Sequence, residues 1–137
     1  MDKIKEFFVI YKNAAWEKNV DQMVELYHED VVIFDMWEHG FQKGLDVWAL
    51  EISNWLRSLG DEKVKVDFEM VTIQEDSTIG FASALVSFQA IGLDLRILRS
   101  MKNRISLGFL KSEKGWKVVH QHTSVPTDSN LQAILDF

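Results

Sequence analysis

Cysteine is absent, so disulfides, thiolate metal ligation and thiol nucleophiles are excluded. That absence is compatible with a reducing compartment, and a cytoplasmic location is the expectation. No long apolar run opens the chain, so neither a signal peptide nor a spanning helix is expected. No cluster of Lys and Arg occurs, and the net charge is -6. General binding to nucleic-acid phosphate is disfavoured by that sign, and no membrane partner is expected. Glycines are few, and Gly40 and Gly44 are wrongly placed for a phosphate cradle. There is no HExxH, no nucleophile elbow and no EF-hand loop. Nucleotide, zinc-protease and hydrolase readings are thereby without support, and no cofactor is expected. Proline occurs once, at Pro126, where it ends the last predicted strand.

What the chain does have is bulk. Nine Phe, five Trp and two Tyr, in a chain that is 47% hydrophobic, suffice for a sizeable core with aromatics left over for a pocket or interface. At 137 residues a single domain spanning 1–137 is expected. Apolar spacing of three and four predicts a helix over 3–19, with Asp2 as its N-cap, and a second over about 20–27. Val31–Phe34 reads as a short strand, followed by a loop from Asp35 to Gly44. A third helix is predicted over 45–59, its apolar face marked by Trp48, Ile52, Trp55 and Leu56, with Gly60 at its end. Four strands are then expected, over 63–75, 78–90, 99–111 and 116–125, the last two joined by a hairpin at Ser112–Gly115. The tail from Thr127 is expected to pack as a final helical turn through Leu131, Ile134 and Leu135.

Helices that precede an antiparallel sheet argue for the α+β class. The simplest closed solution is a cone-shaped barrel: a strongly curved sheet wrapped around the N-terminal helices, with a pocket beside them. The outer sheet face then needs a cover, and a second copy of the chain, giving a homodimer, is the expected one.

Polar residues concentrate in the closing strand. His120, His122 and Ser124 stand at every second position, in step with Trp116 and Val118. Strict alternation puts all five on one face and predicts a pocket wall running from apolar to polar. Arg104 and Ser106, on the neighbouring strand, are candidates for the same pocket, with Arg104 able to meet a carboxylate or a ligand anion. The alternative is a satisfied buried network joining the histidines to Asp35, Arg104, Ser106 or Tyr11. Asp35 follows an apolar strand and precedes an aromatic loop, a suitable place for a general base, with Trp37 as a ligand wall. His28 and His39 read as a helix-end group and an exposed loop residue. A metal site is not expected, because the HxH pair lacks a third ligand at a defined spacing.

The run Tyr27-His28-Glu29-Asp30-Val31-Val32-Ile33-Phe34-Asp35, with Gly44 before a helix, resembles the SnoaL-like group of the nuclear transport factor 2-like superfamily. So do the closing runs Arg104–Phe109 and Gly115–Pro126, and the likeness extends over approximately 3–127. The paired histidines also resemble the association domain of calmodulin-dependent kinase. The resemblance implies a cystatin-like cone and an internal pocket for a small, partly apolar carbonyl or carboxylate compound. It leaves the activity open among isomerases, cyclases, dehydratases and non-catalytic oligomerisation domains. By resemblance to the ketosteroid isomerases, Asp35 stands where their catalytic base follows the first strand, and Tyr11 matches their oxyanion-stabilising tyrosine. His122 or His120 would then orient that base or polarise a carbonyl. The protonated aspartate that those enzymes carry on a later strand has no match here, since Asp94 precedes its strand.

Overall fold

The computed structural model describes all 137 residues. In chain order the elements are α1 (Glu6–Glu17), α2 (Val20–Val24), β1 (Tyr27–Phe34), β2 (Phe41–Lys43), α3 (Leu45–Ser58), β3 (Lys63–Glu75), β4 (Ile79–Ile91), β5 (Ile97–Ser112) and β6 (Gly115–Ser124). All six strands join one sheet in the order β2-β1-β6-β5-β4-β3. β1 and β6 run parallel, and every other neighbouring pair is antiparallel. The sheet curves around the helices, as the α+β reading expected.

The core lies between the helices and the inner sheet face. α1 buries Phe7, Phe8, Tyr11, Ala14 and Ala15, one helical stripe. Phe7 meets Phe109 of β5 edge-on at 5.8 Å between ring centres, and Phe8 meets Phe68 of β3 at 4.9 Å. Trp116, Phe7 and Phe109 are each at most 1% exposed, and burying a side chain of this kind stabilises by about 2–3 kcal/mol. Lys18 ends α1 in a left-handed conformation (φ 54°), its N–H turned back to the carbonyls of Ala14 and Ala15. Asn19 then starts α2 by accepting the Gln22 N–H at 3.0 Å. α3 buries Ile52 and Leu56 and stands over the sheet like one wall of a box.

Several boundaries differ from the sequence reading, each for a local reason. α1 begins at Glu6 and Asp2 does not cap it; the Glu6 carboxylate instead accepts the Lys3 N–H at 2.7 Å. β1 begins at Tyr27, which pairs with Val118, so the polar stretch His28–Asp30 lies within a strand whose register is irregular as far as Val32. The expected loop after Asp35 contains β2, which pairs with β1 through Phe34 and Phe41. The tail forms no helical turn; an isolated bridge joins Thr127 to Ala133.

One irregularity governs the rest. β5 and β6 pair Gly108 with His120 but Phe109 with Val118, so Val119 is one residue too many. This β-bulge reverses the alternation of side chains along β6. Before it, Trp116 and Val118 face inward; beyond it, Gln121 and Thr123 do. Deleting Val119 would remove the extra residue and leave a regular strand in which Trp116, Val118, Gln121 and Thr123 still face inward and the histidines still face out. We expect this deletion to cost less than about 2 kcal/mol, measured by urea unfolding, against on the order of 3 kcal/mol or more for deletion of Val86, which lies in a regular, fully paired stretch of β4 where a missing residue does invert the faces. A Val119 deletion as damaging as the Val86 deletion would contradict this account.

Candidate functional site

Between α1, α3 and the inner sheet face lies a cavity of about 590 Å³. Asp35, just beyond the end of β1, faces it half-buried. Thr123 of β6 holds this carboxylate: its Oγ1 donates to Asp35 Oδ1 at 3.3 Å and accepts the Met36 N–H at 3.2 Å. The Asp35 N–H donates to the Gly40 carbonyl at 2.9 Å, which closes the turn into β2. The base candidate is thus fixed by its own turn and by a strand more than eighty residues later.

Two phenols share the cavity. The Tyr27 hydroxyl donates to Gln121 Oε1 at 2.6 Å. Tyr11 reaches in from α1. Burial, and then the Asp35 carboxylate, hold the Tyr11 hydroxyl far above its ordinary value of 10.0. Tyr27 is raised as well, by burial first, by Tyr11 next and also by Asp35, while Trp48 and Gln121 pull the other way. The Trp48 Nε1–H lies near enough to favour the Tyr27 oxygen as an acceptor, yet it completes no hydrogen bond. Both phenols therefore remain neutral donors at any physiological pH.

Asn103 is the polar residue that sequence reasoning missed. It lies on the inner face of β5, is only 4% exposed, and its Oδ1 has no hydrogen-bond partner. An unsatisfied buried acceptor costs about 1–3 kcal/mol. A signal was available: Met101, Asn103, Ile105, Leu107 and Phe109 alternate inward, and Asn103 alone among them carries an amide. At the mouth, Trp37, Glu38 and His39 come from the β1–β2 turn, and Trp48, Glu51 and Trp55 from one face of α3. His39 Nε2 lies 3.8 Å from Glu51 Oε1. Arg99 also lines the cavity, but its guanidinium forks onto Glu62 at 3.1 and 2.7 Å. That hydrogen-bonded pair lowers the Glu62 carboxyl and raises Arg99.

Of the residues selected from sequence, Asp35, Tyr11 and Trp37 line the cavity. The expected histidine wall is corrected. The bulge at Val119 places His120, His122 and Ser124 on the outer sheet face, beside Arg104 and Ser106. There Arg104 Nε donates to Ser124 Oγ at 3.2 Å. Phe34 meets the rings of His120 and His122 edge-on at 4.8 and 5.6 Å. Partial burial, followed by His122, lowers His120 below the ordinary histidine value. Neither histidine nor Arg104 shares a face with Asp35, so the expected network with it does not form. Trp116 is buried in the core rather than at the cavity. No three His, Asp or Glu side chains are grouped closely enough to hold a metal ion, and no helix is long and apolar enough to cross a membrane.

The SnoaL-like domain model matches residues 4–128, and the chain belongs to that family. Similar solved structures share the NTF2-like, cystatin-like fold. An NTF2-like protein of unknown function from Pseudomonas putida superposes with a TM-score of 0.83 at 18% identity, covering 98% of this chain and 92% of that one. A putative calcium/calmodulin-dependent protein kinase II association domain from Xanthomonas campestris gives 0.73 at 15%, covering 88% and 84%. Aln2 from Streptomyces sp. gives 0.76 at 6%, covering 88% and 86%. At these identities the likeness is one of fold. No curated protein matches the sequence.

The raised phenols carry a stability signature. In the unfolded chain each titrates near 10.0, whereas in the fold each keeps its proton to higher pH. The stabilisation is therefore fully present below pH 10 and is lost as pH rises above it. Two retained protons give a slope of about 2.7 kcal/mol per pH unit. Tyr11→Phe should flatten this by about half, read from urea unfolding at stepped alkaline pH. An unchanged slope would show that Tyr11 ionises freely in the fold.

Proposed function

We propose that the cavity binds a small, largely apolar carbonyl compound and that Asp35 serves it as a general base. The observation that carries this reading is a carboxylate facing a mainly apolar cavity beside a phenol held in its protonated form. Asp35 would take a proton from the carbon next to the carbonyl. The C–H electron pair would become the enolate double bond, and the charge would move to the carbonyl oxygen. Tyr11 is the neutral donor available to that oxygen, and in a water-poor site such a donor is worth far more than in bulk water. Returning the proton to a different carbon completes an isomerisation. A carboxylate ligand is less well served. Arg104 lies outside, Arg99 is occupied by Glu62, and the lining carries the acids Asp35, Glu38 and Glu51.

The test uses a neutral aryl methyl ketone, para-isobutylacetophenone, in deuterated buffer. Deuterium entering its methyl group is followed by NMR. We expect exchange by the parent protein to fall about 100-fold or more in Asp35→Asn. Equal rates in the two proteins would remove Asp35 as base, and saturable binding without exchange would leave a binding domain.

We also propose a homodimer built through the outer sheet face. Phe34, Phe41, Phe81 and Ile79 lie on that face at 40–62% exposure, an apolar area that a lone domain leaves wet. A second copy offers the same area about a two-fold axis. Phe34→Glu should shift the mass measured by light scattering from dimer to monomer; a monomeric parent would refute the arrangement.

A further inference from the structure

Within the carbonyl-pocket reading, on which this step rests, we infer that the ligand also carries a protonated amine, held at the mouth between Glu51 and the tryptophans. α3 sets Trp48, Glu51 and Trp55 on the face turned to the cavity. Glu51 thus has an indole one turn to either side of it, and Trp37 lines the same cavity. Indole faces flanking a carboxylate attract a cation through both the ring quadrupole and the charge. A purely apolar ligand would gain nothing from a carboxylate in that position.

The charge balance of the cavity points the same way. Its acids are Asp35, Glu38 and Glu51. Its one arginine, Arg99, is neutralised by the forked bond to Glu62. The His39–Glu51 contact is long, at 3.8 Å, and the imidazole is largely in solvent, so the carboxylate is free to take another cation. Asn103 supplies an independent observation that favours a donor-bearing ligand. Its acceptor Oδ1 is buried and unpartnered in the cavity lining. Tyr27 cannot satisfy it, because its proton goes to Gln121. Carboxylates and an orphan amide oxygen together ask for N–H groups and positive charge, while the orphan Trp48 Nε1–H in the same lining is a donor left for an acceptor such as the carbonyl.

The experiment compares two ketones of nearly equal shape on the unmodified protein by calorimetry at pH 7. One is para-(dimethylaminomethyl)acetophenone, which is cationic. The other is para-isobutylacetophenone, in which carbon replaces the ammonium nitrogen. We expect the cationic ketone to bind at least about tenfold more tightly, and Glu51→Gln to remove most of that difference while leaving the neutral ketone unaffected. Equal or tighter binding of the neutral ketone would overturn the amine inference and leave the carbonyl pocket standing. Binding of neither would overturn the pocket reading, and the inference with it. A preference that survives Glu51→Gln would overturn the assignment to Glu51.

Discussion

The single extra residue at Val119 determines what this protein can do with its last strand. Upstream of it, β6 feeds Trp116 and Val118 into the core beneath α1. Downstream, the same strand delivers Gln121 and Thr123 to the cavity and shows His120 and His122 to the outside. With these ten residues in strict alternation, His120 and His122 would follow Trp116 and Val118 to the inner side, and the strand could not line both the apolar core and the Gln121–Thr123 side of the cavity. The bulge lets one ten-residue strand serve both. The placement of Asp35 depends on it in turn, since Thr123, which grips that carboxylate, faces inward only because the parity has been reversed.

The cavity and the outer face are consequently two distinct chemical environments separated by one layer of backbone. The inner side collects neutral phenols, an orphan amide and carboxylates, with indoles at the mouth. The outer side collects Arg104, the two histidines and exposed phenylalanines. Their ionisable groups do not mix, since one layer of sheet backbone stands between the histidines and Asp35. The pocket is acidic and aromatic, and the surface across from it is basic and aromatic.

Much of the fold was legible from the chain. Helical spacing in α1 and α3, the alternation of Lys63–Glu75 and the hairpin at Ser112–Gly115 located most elements within a few residues, because each pattern is local. Asp35 was legible too, standing at the junction of an apolar strand and an aromatic turn. The histidine wall was not, and the reason is physical. A bulge formed by valine carries no glycine or other marker, and two adjacent valines look the same in a regular strand as in an irregular one. Parity is a cumulative property, so one undetected residue inverts every assignment after it. Asn103 and Glu51 were passed over for the opposite reason. Each is a polar residue in an apolar pattern, and only the shared cavity shows that the exception has a use.

The parallel pairing of β1 with β6 has a consequence for how the molecule is made. Strands β3, β4 and β5 are joined by tight connections and can pair as they emerge from synthesis. β1 has no inner neighbour until the last strand is complete, because β6 alone bridges it to the rest of the sheet. Closing that gap brings together residues more than eighty positions apart, at the entropic cost such long-range contacts carry. Gln121 and Thr123 arrive in the same event. The cavity wall is therefore among the last features to appear, and any nascent or shortened chain that lacks β6 lacks that wall along with the strand.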